Sequence, residues 1–393
     1  MKIAIYNLHF ATLGGGERRT CALAAHLARE HIVTIFVQSS VPIATIKTIF
    51  GLDLSNVEII ALEHKDHMAE ILRWDPDLFI NNSHLSNLPN PARRGIYMCM
   101  FPDLRNIDLR SYHIVTANSR FTAKWINKRW GCPSEVVYSA CQNMGPPLMK
   151  QKVILNVGRF FDTRTGHHKR QEMLLHAFKG LVDDGLHGWE LQLVGTTGPG
   201  SENREFVDRL RDDAADYPVH IRSGLEFNEL RRAYQKSSIY WHATGFGTSE
   251  AKQPGKQEHF GMSIIEAMSA GAVPIAFNSG GPREVIKPAI NGYLWNDLEE
   301  LKALSTQLIK DPQSLQSMAA SAVLRSRTFN VSEFLARMDC IIERITAPDY
   351  NFRLLQRRTT RLRMKMRKVA KPAVEYLKLF ASALRGQKKN KLH

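Results

Sequence analysis

The chain runs through two rounds of strand–helix alternation, and a Gly-Pro-Pro break separates them. The first round opens with the apolar alternation of KIAIYN (2–7) and continues through IVTIFVQ, VEIIAL (57–62), DLFINN (77–82), GIYMCMF (95–101) and HIVTANS (113–119). The break is NMGPPLMKQ (143–151). The second round then follows as KVILNVGRF, ELQLVG, VHIRSG, IYWHATG and VPIAF, with helical stretches between. Strands alternating with helices predict a parallel, doubly wound sheet in each half. Two such halves bind a ligand in the cleft at the carboxyl ends of their strands. At 393 residues the chain is also too long for one typical core. The spacing sets a first domain at 1–146, a second at 150–330, a helical return at 331–350 and a tail at 351–393.

Charge separates the tail from the rest. The formal net charge is +15, and residues 351–393 carry fourteen Lys or Arg against one acid, Glu375. The remaining body is therefore close to neutral, at about +2. This argues against a nucleic-acid groove in the body and for a local electrostatic anchor. The tail mixes Leu, Met, Val and Phe with its cations, the composition of a helix that lies on an anionic membrane. No apolar run reaches transmembrane length, and the first residues read as a strand rather than a signal peptide. Five scattered cysteines without a CxxC pair suggest neither a zinc site nor a disulfide framework, and fit a reducing compartment.

Three motifs carry candidate chemistry. Gly14-Gly15-Gly16 follows the first strand at a helix start expected near Glu17, as a phosphate-cradling turn would. It is not GxGxxG, and Gln38-Ser39-Ser40 ends the second strand where a dinucleotide ribose needs an acid, which argues against NAD. A tight structural turn is the competing reading. Arg159 ends a strand and Lys169 opens the next helix, with Arg170 a competitor for the same role. Fixed cations at such ends stabilise negative charge developing on a departing diphosphate, although two solvated loop cations fit as well. The third motif is EHFGMSIIE (258–266). Ser263 to Glu266 has the spelling of a capping box. Gly261 permits close backbone approach, and the N–H groups of Met262 and Ser263 are placed for phosphate or sugar oxygens. Glu266 suits a ribose diol, and Glu258, across the turn, suits hydroxyls of a donor sugar.

The chain resembles retaining glycosyltransferase family 4, which has the GT-B fold of two Rossmann-like domains facing across a cleft. The resemblance rests on E-x-F-G-x4-E at Glu258–Glu266, on GGGE, NVGRF…HKRQ, WHATGFG (241–247), AMSAGAVPI and NSGGPREVI, over about 300 residues in the family's order. The GGGER and WHATGFG…EHFG forms look closest to mannosyltransferases of lipid-linked and polysaccharide glycan synthesis. The resemblance implies a metal-independent hexosyltransferase that uses a nucleotide-sugar, GDP-mannose above all, as co-substrate and requires no other cofactor. It implies Arg159 and Lys169 as diphosphate ligands, Glu266 as ribose ligand and Glu258 as donor-sugar ligand. Gly15 and Gly16 face the donor, and Phe260, Gly261, Met262 and Ser263 complete its site. The acceptor is a glycan or lipid-linked glycan hydroxyl, reached from a cytoplasmic protein peripheral on the inner face of the membrane, with no specific nucleic acid partner. A non-catalytic GT-B binding protein and a transferase using UDP-glucose or UDP-GlcNAc are the alternatives.

Two points depart from the pattern. Those mannosyltransferases often place a histidine before an aromatic-Pro pair, where this chain has Met100 in YMCMFPD. His84, at another strand's carboxyl end, is the substitute acceptor-side candidate. Asp75-Pro76-Asp77 spells a metal-binding DxD, but Pro76 and the following apolar run read as a strand entry.

Overall fold

The computed structural model describes residues 1–62, 66–105, 107–164 and 167–350. The basic tail and the membrane contact expected of it lie outside the described residues.

The first half forms a seven-stranded, all-parallel sheet. Its strands are β1 (Lys2–Asn7), β2 (Ile32–Val37), β3 (Val57–Ala61), β4 (Leu78–Asn81), β5 (Arg94–Cys99), β6 (Ile114–Ala117) and β7 (Glu135–Val136), in the order β3-β2-β1-β4-β5-β6-β7. The second half forms a six-stranded parallel sheet. It comprises β8 (Gln151–Val157), β9 (Glu190–Gly195), β10 (Val219–Ser223), β11 (Ser237–His242), β12 (Val273–Phe277) and β13 (Tyr293–Trp295), in the order β10-β9-β8-β11-β12-β13. In both, the strand order reverses beside the first strand of its half, so each sheet has a switch point where its carboxyl ends open a crevice. The central strands are buried along nearly their whole length, as helices on both faces require. These are the two facing Rossmann-like domains of the GT-B fold. β7 and β13 have two and three residues, too few for any periodicity to show.

The last helix crosses back. Residues Val331–Thr346 place Phe334, Met338, Ile341, Ile342 and Ile345 in the core that contains Ile3, Ile5 and Ile35 of β1 and β2. Near its middle, Asp339 meets His26 Nε2 at 2.9 Å. Helices Leu298–Lys310 and Pro312–Ser326 stay with the second sheet.

Two local expectations are corrected. The first helix begins at Gly15, with Gly14 as its N-cap, so two of the three glycines lie inside the first turn. Its capping carboxylate is Glu17, which accepts from Gly14 N at 2.9 Å. Ser263 and Glu266 do not form a capping box. The helix Met262–Ser269 starts two residues earlier than that pattern needs, capped by Gly261 at φ 100°, a left-handed conformation that favours glycine. Glu266 is thereby the fifth helical residue rather than the third, too deep to reach the cap, and faces sideways.

Candidate active site

The cleft is built by the loop after β1, the ends of β8 and β11, and the turn before helix Met262–Ser269. The two domains meet across it closely. A Cβ on Gly15 would stand 2.8 Å from Met262 Sδ, and one on Gly16 2.9 Å from Met100 Sδ. Glycine at these two positions lets the first helix approach both methionines. Met100 therefore packs on the glycine loop.

Glu258 lies at the centre of a cluster drawn entirely from the second domain. Its Oε2 is 3.0 Å from Lys169 Nζ and 3.3 Å from His242 Nε2. Burial alone raises the carboxyl pKa, but Lys169 and His242 outweigh it and hold Glu258 well below the usual carboxylate range. His167 completes the group. Its Nε2–H donates to Gln257 O at 3.1 Å, so its Nδ1 accepts from Lys169 Nζ at 3.2 Å. The ring is therefore neutral, and burial, reinforced by Lys169, lowers its pKa to about 3. His242 is buried too, with its pKa lowered by desolvation.

The loop that carries Glu258 is pinned by Gly280 and Gly281. Gly281 N donates to Glu258 O at 2.8 Å. A Cβ on Gly280 would come within 2.2 Å of that same carbonyl, and one on Gly281 within 2.4 Å of Phe260 Cα. The paired glycines of NSGGP thus set the height of the Glu258 backbone.

Arg159 and Lys169 differ in state. Lys169 packs on the end of β8, its Cγ 2.9 Å from where a Gly158 Cβ would lie. Its charge is matched by Glu258. Arg159 is exposed, stands over the Phe161 ring at 5.3 Å and borders Gly14, and has no ion-pair partner among the described residues. Arg170 points to Glu172 at 3.7 Å, so Lys169 is the cation beside Glu258.

Glu266 occupies a different setting. Its Oε1 is 3.0 Å from Arg18 Nη1 of the first domain, and its Oε2 accepts from Tyr234 OH at 3.0 Å. Burial raises its pKa, with Arg18 and Tyr234 opposing. Phe260 turns away from the cleft into the core, stacked on Tyr138 at 5.3 Å, so only its backbone belongs to the site. Ser263 hydrogen-bonds Tyr240. His84 is exposed at the first-domain rim; desolvation by the surrounding protein lowers its pKa, with His9 adding to the effect. Asp77 accepts from Lys2 N at 2.7 Å at the β1–β4 entry. Among the described residues no three metal-ligating side chains converge.

The sequence reading did not single out five residues here: Arg18, His167, His242, His259 and Glu284. His242 ends a central strand at the switch point, a position that alone marked it. His259 stacks on Phe101 of the first domain with centroids 4.0 Å apart, and its carbonyl accepts from Ser119 Oγ at 2.6 Å. Glu284 caps the first-domain helix Arg120–Trp130, accepting from Arg120 N at 2.9 Å and Phe121 N at 2.7 Å. These contacts and the Arg18 pair cross between domains, which no local pattern encodes.

Two Rossmann-like parallel-sheet domains facing across a glycine-lined cleft are the architecture of the GT-B fold. Residues 145–324, essentially the second domain, match the family described as Glycosyl transferases group 1. Relatives in sequence include a mouse GDP-Man:Man(3)GlcNAc(2)-PP-Dol alpha-1,2-mannosyltransferase, 27% identical over 51% of this chain and 42% of that protein. A Dictyostelium discoideum alpha-1,3/1,6-mannosyltransferase ALG2 is 30% identical over 64% of this chain and 59% of that one. The chain spans about half the length of the curated relatives it matches. In structure it is similar to Anabaena HepE crystallised with UDP-glucose, with a TM-score of 0.69 over 87% of this chain and 99% of that one at 17% identity. A Rickettsia africae glycosyltransferase gives the same TM-score at 16% identity, over 88% and 99% of the two chains.

Proposed function

We propose that the chain is a retaining hexosyltransferase that moves mannose from GDP-mannose to a hydroxyl of a glycan or lipid-linked glycan. The observation that carries this reading is the largely buried Lys169–Glu258–His242 cluster in the domain that matches the sugar-transferase family. The mannosyltransferase names of the relatives favour mannose and a lipid-linked acceptor.

In this reading Glu258 accepts hydrogen bonds from the hydroxyls of the donor sugar, and Lys169 and His242 keep it ionised for that task. Glu266 accepts from the ribose diol. As the glycosidic bond breaks, negative charge grows on the leaving phosphate oxygen. Arg159, Lys169 and the N–H groups of Met262 and Ser263 meet it, which is the dominant catalytic term in such sites. The departing oxygen leaves on the face where the acceptor arrives and takes the proton of the attacking hydroxyl, so no protein nucleophile is required. Gly15 and Gly16 line the donor and His84 faces the acceptor. Charge neutralisation rests on these groups, so activity survives EDTA; loss restored by Mn²⁺ revives Asp75 and Asp77.

The decisive experiment incubates the protein with GDP-mannose, UDP-glucose and UDP-GlcNAc and measures hydrolysis and transfer. Turnover of GDP-mannose alone is expected. Turnover of a UDP-sugar instead reassigns the donor, and nucleotide binding without turnover of any donor favours a non-catalytic binding protein.

No helix among the described residues is long and apolar enough to cross a membrane. We place the protein on the cytoplasmic face of an anionic membrane through residues 351–393. Each Lys or Arg near such a surface contributes about 1 kcal/mol. A chain truncated after Ala347 is expected to lose salt-sensitive vesicle binding while keeping activity on a soluble acceptor. A well-folded truncation that still sediments with vesicles refutes the anchor.

A further inference from the structure

We infer that Arg18 of the first domain is a positioning residue for the nucleotide: it holds the Glu266 carboxylate oriented and ionised, so that the ribose contact is complete only when the two domains are together. This rests on the reading of Glu266 as the nucleotide carboxylate.

Four observations carry it. The guanidinium sits between a ring from each domain, 5.3 Å from the Phe50 centroid and 5.8 Å from that of Phe227. Its Nη1 then reaches Glu266 Oε1 at 3.0 Å, with both side chains largely removed from solvent. Tyr234 OH takes the other carboxylate oxygen at 3.0 Å. A carboxylate has about four acceptor positions; Arg18 and Tyr234 use two, and two remain for a cis-diol. Finally, the Nε–H of Arg18 is buried without a hydrogen-bond partner, so one donor of the guanidinium is uncommitted.

Among the described residues, Arg18 also supplies the only charge that compensates Glu266. The other titratable groups facing the carboxylate are Tyr234, Tyr240 and Cys141, each uncharged with its pKa raised by burial. Burial pushes Glu266 towards its neutral form, and Arg18 is the largest opposing influence. A protonated Glu266 accepts less from a diol. Removing Arg18 therefore raises the Glu266 pKa further, and nucleotide affinity falls as pH drops through that higher value.

The test is calorimetric titration of GDP into the full chain between pH 5.5 and 8.5. The proteins are the wild type, Arg18→Ala, Arg18→Lys, Glu266→Gln and the Arg18→Ala/Glu266→Gln double variant, each checked for folding by circular dichroism. The wild type sets the reference profile, to which titration of the GDP phosphate contributes equally in every variant. Arg18→Ala should bind about tenfold more weakly near neutrality, with the deficit against wild type growing as pH falls. Arg18→Lys should restore most of the wild-type profile. The double variant should bind no worse than Glu266→Gln, because Arg18 acts through that carboxylate. Arg18→Ala with wild-type affinity and profile overturns the inference. So does a double variant whose losses simply add. If the wild type binds neither GDP nor UDP, or Glu266→Gln binds as well as the wild type, the underlying assignment of Glu266 fails instead, and the inference falls with it.

Discussion

The two carboxylates of the Glu258–Glu266 motif are eight residues apart and are held by opposite strategies. Glu258 is satisfied inside its own domain, by Lys169 and His242, and is driven firmly to its ionised form. Glu266 takes its cation from the other domain, and its pKa is raised rather than lowered. One end of the motif is thus prebuilt, and the other is finished by contact between domains. Prebuilt charge meets charge developing in a reaction without reorganisation. An interdomain contact instead makes binding depend on how the domains sit. On the proposed function, the sugar end is the fixed part of the site and the nucleotide end the conditional one.

Substitutions at the two ends should separate accordingly. The largest effect is expected from Gly281→Ala. Its Cβ would lie 2.4 Å from Phe260 Cα and 2.6 Å from His259 O, so the backbone beside Glu258 must shift. A thermal melt should show a stability loss of about 1–3 kcal/mol or more, as overpacking against fixed backbone gives, together with loss of transfer. A variant with unchanged melting temperature and activity would mean that the loop is not rigid, and the comparison fails at its fixed end.

Lys169→Ala should come next. Removing one partner of a largely buried pair leaves Glu258 uncompensated, which costs about 3–5 kcal/mol in fully buried cases and less here, because Lys169 is partly exposed. Turnover should fall about 10²- to 10³-fold while GDP affinity changes little. Equal losses in both would place Lys169 at the conditional end instead.

Glu284→Gln should have a smaller effect. The carboxylate sits on the first-domain helix N-terminus from across the interface, a charge–dipole contact worth about 0.3–1 kcal/mol, up to ~2 when partly buried. GDP affinity should weaken severalfold, and small-angle scattering should show a more open molecule. If turnover falls with affinity intact, the contact serves the sugar end.

The smallest effect concerns acid. The folded pKa of Glu258 is depressed, so its contribution to stability is fully present above the ordinary carboxylate value and is lost as pH falls through the lower folded value. Between pH 8 and 5 the melting temperatures of wild type and Glu258→Gln should therefore run parallel, diverging only below about pH 4.5. Divergence already near pH 6 would show that Lys169 and His242 do not hold the charge.

The sequence by itself determined the two parallel sheets, since strand–helix alternation and buried apolar runs report what each segment must bury. It also marked Arg159, Lys169, Glu258 and Glu266, because polar groups at strand and helix ends stand out against apolar cores. Tertiary structure alone decided what those groups do to one another. No spacing announces that Arg18 meets Glu266 across 248 positions, or that Glu284 reaches the helix at Arg120 across 164. The Ser263–Glu266 spelling even favoured a cap that Gly261 took instead. Phe260, counted with the site, went to the core because an aromatic ring gains more by burial against Tyr138 and Phe329 than by lining a wet cleft. Local patterns record the free energy of burying a face; partners across a cleft depend on the docking of two domains, and that is written only in their surfaces.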